Sequence, residues 1–201
     1  MTGGGSARRA LAGSLLALVA LHASTLAGDL YRIDEHVASV EFSVDGLGLF
    51  SERGSFGRFH GLLSLDLARP EATTIAVTTD AKSAMMGWAA ATAQLSSPAY
   101  FDVARYPVMH FASRQVTRSA PDLYRVAGTV EIRGIERPLQ LQARLVHPAH
   151  APGPGPAAAD FVVTGEIRRS ALGMTADRPL ISDFVHLTIH AHILLRSATD
   201  G

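Results

Sequence analysis

From Tyr31 onward, apolar and polar residues alternate with a period of two, which turns successive side chains to opposite faces of a β-strand. Ala38, Val40, Phe42 and Val44 alternate with Val37, Ser39, Glu41 and Ser43, predicting a half-buried strand that stops at Gly46 and Gly48. Residues 55–67 form a second extended stretch with Gly57 and Gly61 inside it, and interior glycines mark bends or bulges of the kind a closing barrel needs. Thr73 to Thr79 is a short β-branched strand after Pro70. Met109, Phe111 and Ser113 share one face over 108–115, and Tyr124, Val126, Gly128, Val130 and Ile132 share one face over 123–133. Beyond Arg133-Gly134, Leu139, Leu141, Ala143 and Leu145 alternate with Gln140, Gln142 and Arg144, so the strands flanking that turn read as a hairpin. Phe161, Val163, Gly165 and Ile167 resume the alternation, and Val185, Leu187, Ile189, Ala191 and Ile193 make the most regular strand.

Two segments break the pattern. Ser83 to Ser97 is rich in Ala and Met, has no β-branched run and stops at Pro98, which predicts one helix of about three to four turns. Residues 147–160 hold four prolines and two glycines and read as an extended flexible loop, too short to separate two domains. About eight strands and one inserted helix make an all-β chain. Eight antiparallel strands suit a closed lipocalin-like β-barrel better than an open sheet, because closure removes exposed edges and leaves room for one small ligand. A β-sandwich is the alternative architecture.

Composition sharpens this picture in three places. Eighteen Lys plus Arg balance eighteen Asp plus Glu, so there is no overall positive field to draw in nucleic acid or an anionic surface. There is no cysteine, which rules out disulfides, thiolate metal sites and a cysteine nucleophile. Arg8 and Arg9 precede the apolar run 10–21, and small residues follow at Ala23, Ser24, Thr25 and Ala27; this is the layout of a secretory signal. Residues 1–27 are therefore expected to be removed near Ala27-Gly28, leaving a single domain over 28–201 in the periplasm. The apolar run falls short of the ~20 residues of a membrane-spanning helix.

The chemistry-bearing residues make no recognised constellation. Asp80, Asp102, Asp183, Ser170, Ser182 and the histidines can be arranged on paper as a hydrolytic triad, yet no Gly-x-Ser-x-Gly turn is present. A phosphate-cradling glycine loop and a dinucleotide fingerprint are absent too, so no cofactor is expected. His186, His190 and His192 share the outward face of the last strand, where a surface metal site competes with ordinary solvent exposure. Arg133, Arg137, Arg168 and Arg169 read as structural ion pairs at turns rather than anion readers, with docking of a lipid head-group phosphate near one of them as the alternative.

The order of several short motifs resembles the YceI family. Tyr31-Arg32-Ile33-Asp34 with His36, Ser39, Val40 and Phe42 is similar to the start of such a domain, as are Gly54, Phe56, Gly57, Phe59, Gly61 and Asp66. Tyr100-Phe101-Asp102 leading to Tyr106-Pro107, the Ile132-Arg133-Gly134-Ile135 turn with Arg137-Pro138, and Arg168-Arg169-Ser170 with Leu172-Gly173-Met174 and Ile181-Ser182-Asp183 continue the likeness. One segment departs from it: 85–94 is apolar or uncharged where family members usually carry an aspartate and a histidine. The resemblance implies a non-catalytic periplasmic lipocalin-like barrel holding a long polyisoprenoid-type lipid. Phe42, Phe59, Met109, Phe111, Val130, Leu141, Ile167, Leu172 and Leu187 are the expected ligand contacts, with Met85, Met86 and Trp88 as a pliable lid. The competing reading is that these side chains fill the core. A small hydrolase or isomerase and a His-based metal module are the other functional readings, and both a monomer and a homodimer stay open.

Overall fold

The computed structural model describes residues 29–46, 50–149 and 157–196. The expected signal segment 1–27 and the strand stop at Gly48 lie outside them. Eleven strands are present among the described residues: β1 Asp29–Ile33, β2 Ser39–Gly46, β3 Phe50–Phe56, β4 Phe59–Leu65, β5 Thr74–Asp80, β6 Ala84–Met86, β7 Val108–Ala120, β8 Leu123–Ile132, β9 Ile135–Ala149, β10 Ala158–Arg168 and β11 Ile181–Leu195. One α-helix, α1 Ala89–Leu95, is inserted between β6 and β7.

The first six strands are the halves of three longer, bent ones. β1 and β2 pair with successive parts of β11, β4 and β3 pair with β1 and β2, and β5 and β6 pair with β4 and β3. Counted that way, eight antiparallel strands form a ring that β1 closes against β11, which settles the architecture as a barrel. Where a strand bends, its ladder bonds are lost and other groups must satisfy the backbone. At the Gly57-Arg58 bend, Gly57 N–H donates to Ser83 O at 3.1 Å and Arg58 N–H to Ser83 Oγ at 3.0 Å. The Arg58 guanidinium sits 2.7 Å from the Asp80 carboxylate across the same bend.

Interior side chains form two clusters. One, centred on Tyr31, Val126, Phe161 and Ile193, fills the end where β1 and β4 lie. The other, centred on Phe42, Phe56, Phe101 and Leu172, lies beneath α1 and the bent halves β2, β3 and β6.

Two expected elements change. The helix expected over Ser83 to Ser97 is only Ala89–Leu95, because Ser83 belongs to a 3-10 turn and 84–86 pairs as β6 with β3. Thr92 Oγ1 accepts the Met86 N–H at 2.9 Å, so the helix holds β6 in place instead of extending through it. The loop expected over 147–160 is shorter, since β9 and β10 continue their pairing from Asp160↔His147 to Ala158↔Ala149 despite Pro148. The Arg133-Gly134 hairpin is as expected, with both residues at positive φ (57° and 68°).

Candidate functional site: an apolar cavity inside the barrel

A cavity of about 550 Å³ runs through the barrel interior and is lined by both clusters. Its volume lies within the ~300–1,000 Å³ range of small-molecule sites. The inward faces read from the alternation supply its walls: Val40, Phe42 and Val44 on β2, Tyr124, Val126 and Val130 on β8, Leu139 and Leu141 on β9, and the run from Val185 to Ile193 on β11. Two inward glycines are covered by their neighbours, which keeps the wall continuous. A Cβ on Gly165 would come within 2.4 Å of Leu141, and one on Gly54 within 2.3 Å of Phe42.

Ten of the twelve residues expected to contact a ligand line this cavity: Phe42, Met86, Trp88, Met109, Phe111, Val130, Leu141, Ile167, Leu172 and Leu187. Phe59 is buried but outside the lining, at the bend where β4 begins opposite Thr79. Met85 is the outward neighbour of Met86 on β6 and is half-exposed, so only one methionine of the expected lid faces inward. Phe50, Phe101, Tyr124 and Phe161 line the cavity without having been singled out. The inward parity of Tyr124 and Phe161 was readable in the sequence; that of Phe50 and Phe101, beside turns, was not.

The two ends of the cavity differ. At the first, Arg118 donates to Leu67 O and, at 3.3 Å, to Tyr124 Oη, while its guanidinium lies 5.5 Å from the Tyr124 ring centre. Leu67, Pro70 and Thr73 complete that end. At the second, Phe50 and Trp88 both line the cavity and are 51% exposed, forming an open aromatic rim beside Glu52 and Gln94. A polar group also enters the lining there: Arg169, Tyr100 and Asp177.

Arg169 is 3% exposed and forms no ion pair among the described residues, contrary to the expectation from sequence. Its Nε donates to Ser182 O at 2.7 Å, Nη1 to Met174 O and Ala176 O at 3.2 and 2.6 Å, and Nη2 to Ile181 O at 2.9 Å. The other three arginines are not ion-paired either among the described residues. Arg133 donates to Tyr100 O, Arg137 to Glu136 O, and Arg168 stacks over Phe184. Tyr100 Oη donates to the Asp177 carboxylate, and burial together with that bond pushes the phenol up to about 12.

The alternative chemistries find little geometry. Ser170 Oγ donates to Asp183 at 2.7 Å, and that bond holds the carboxyl below its ordinary value, with no histidine in the pair. On the outer face, His192 Nδ1 is 2.6 Å from Asp160 and His186 Nδ1 is 3.5 Å from Glu166. No group of three or more metal-ligating side chains occurs among the described residues, and none of their helices is long and apolar enough to cross a membrane.

Comparison with known proteins agrees with this fold. The UPF0312 protein of Enterobacter sp. (strain 638) is 30% identical over 184 residues, covering 90% of this chain and 94% of that protein. Among solved structures, Burkholderia cenocepacia BcnA matches with a TM-score of 0.72 at 20% identity, over 80% of this chain and 98% of that one. A polyisoprenoid binding domain from Saccharophagus degradans, implicated in plant cell wall breakdown, matches with a TM-score of 0.62 at 14% identity, over 83% of this chain and 98% of that one. Residues 31–193 match the YceI-like domain, and the chain belongs to that family.

Proposed function

We propose that this protein binds and carries an elongated apolar lipid of polyisoprenoid type inside its barrel, without catalysing a reaction on it, in the periplasm after export. The observation that carries the reading is the 550 Å³ interior cavity with an almost wholly apolar wall. Burial of one methylene is worth ~0.8 kcal/mol, so ten to fifteen of them give about 8–12 kcal/mol before association costs. Micromolar affinity, about −8 kcal/mol, is therefore within reach with few polar contacts. The polyisoprenoid binding domain of similar fold and the signal-like layout of residues 1–27 support the ligand class and the compartment.

The test is to purify the exported protein from a bacterial host, extract it with organic solvent and identify the extract by mass spectrometry. One prenyl-chain lipid per protein is expected. An empty extract from folded protein that also fails to take up added lipid refutes the carrier reading. Cell fractionation checks the compartment separately, with the protein expected in the osmotic-shock fraction.

A further inference from the structure

At the second end the apolar wall of the cavity continues onto the outer surface. Phe50 and Trp88 belong to the lining and are each 51% exposed, and Leu180, outside the lining, is 55% exposed. Strand register brings these three residues to one rim. Ile181 pairs with Gly46 and Gly46 with Phe50, so Leu180 follows on directly from the Phe50 end of β3. On the other side, the antiparallel register of β3 and β6 runs from Gly54↔Met86 to bring Trp88 level with Glu52, two residues from Phe50. From Trp88 the chain enters α1, which adds exposed Ala89, Ala90 and Ala93. Scattered exposed apolar residues are ordinary, whereas several large ones grouped at a cavity mouth mark an interaction surface. The charge there is sparse and balanced. No residue from Ser83 to Phe101 is charged, and Glu52 and Asp177 in the lining are offset by Arg169 in the lining and Arg178 beside Asp177.

We infer that this rim rests on the surface of a zwitterionic phospholipid bilayer, with Phe50, Trp88 and Leu180 entering its interfacial layer and the cavity opening onto the acyl chains. The inference rests on the carrier reading and names the place where the carrier exchanges its lipid. Continuity favours a bilayer as the occupant. Phe50 and Trp88 are at once cavity wall and outer surface, so a chain passing between membrane and barrel stays in apolar surroundings and does not cross water. Tryptophan suits the membrane interface, where one part of the ring is apolar and its N–H remains wet. Size argues against a protein partner. Three large side chains and three alanines fall well short of the ~20–30 residues a side of a stable protein interface, whereas a bilayer demands no matching shape. The balanced charge selects the lipid class, because anionic head groups find no net positive field at the mouth.

The chain has a single tryptophan, so Trp88 fluorescence reports this rim alone. The exported protein is mixed with sucrose-loaded phosphatidylcholine vesicles, and co-sedimentation is read beside quenching of Trp88 by phosphatidylcholine brominated on its acyl chains. Both are expected for the unaltered protein. Leu180→Asp, at an exposed site outside the cavity, should lower the partition coefficient about tenfold, while Leu30→Asp, at a 42% exposed residue on β1 at the other end, should leave it unchanged. Circular dichroism checks that both variants keep the barrel. Unaltered protein that stays in the supernatant overturns the docking, as does an equal loss in the two variants. Binding that appears only with added phosphatidylglycerol and vanishes in high salt is electrostatic attachment and overturns it too. Sedimentation velocity covers the remaining occupant: a dimer that Leu180→Asp splits gives the rim to a second copy and overturns the bilayer. Protein that yields a lipid extract but ignores the vesicles keeps the carrier reading and loses the docking alone; an empty extract with no uptake of added lipid removes both.

Discussion

The two ends of the barrel each use an arginine, and they use it differently. Arg118 lies partly outside, its guanidinium laid over the Tyr124 ring and one carbonyl, and it finishes a region packed around Tyr31 and Ile193, both 0% exposed. Arg169 is fully inside, bonded to four carbonyls of the segment 174–182, below a rim where Phe50 and Trp88 stand half in solvent. One end is closed by packing. The other is assembled from loops and bent strands, and a buried cation takes the place of packing. The first end should therefore owe its stability to apolar packing, and the second to the carbonyl bonds of one buried cation.

The largest expected effect is at Arg169. Arg169→Leu strands one buried and three part-buried carbonyls and should cost about 3–5 kcal/mol of unfolding free energy, whereas Arg118→Leu, at a partly exposed site, should cost about 1 kcal/mol. Denaturant titration of both variants compares the ends directly, and equal costs would erase the distinction. Next in size, Phe59→Ala, at a buried ring outside the cavity lining, should cost about 3 kcal/mol as an ordinary core truncation, with ligand affinity little changed. Phe42→Ala should cost less, because one side of the ring already faces the cavity, but should weaken lipid binding by about tenfold. A Phe42→Ala loss as large as that of Phe59→Ala would mean that the cavity is filled core.

Smaller effects test the wall and the pH response. In Gly165→Ala the new Cβ would push Leu141 Cδ2, 2.4 Å away at the flexible end of its side chain, into the cavity. Stability should fall by about 1 kcal/mol, and longer lipids should lose affinity before shorter ones. The carboxyls of Asp80, bonded to Arg58, and Asp183, bonded to Ser170, are both held below the ordinary aspartate range. The stability they contribute is present above the unfolded value near pH ~4 and lost as pH falls further, so Asp80→Asn and Asp183→Asn should flatten the acid limb of a stability-versus-pH curve. Tyr100 has the opposite sign. Its phenol is raised to about 12, so its contribution is present below the unfolded value near ~10 and lost as pH rises through 12; Tyr100→Phe should remove that alkaline loss.

The same contrast explains what could be read from the sequence. Alternation on β8, β9, β10 and β11 gives the inward faces outright, because long strands with one buried side repeat every second residue, and Val130, Leu141, Ile167 and Leu187 follow from it. The helix end was harder to read. Ala and Met at 84–86 have helical propensity, yet pairing with β3 makes them a strand, and that pairing is set by a bend some 27 residues earlier at Gly57. Arg169 stands next to Arg168 in sequence with nothing local to separate them, although one is buried among carbonyls and the other stacks on Phe184. Its partners at 174–182 come from a turn whose path no short-range pattern specifies.

The central claim, an elongated apolar lipid inside the barrel, is tested most directly by native mass spectrometry of the intact protein beside Val130→Trp, which places an indole in the middle of the cavity. The account predicts a mass surplus of one lipid per chain for the unaltered protein and its loss in a Val130→Trp variant that keeps the barrel's circular dichroism. A surplus that persists undiminished in that folded variant would place the lipid elsewhere and contradict the account.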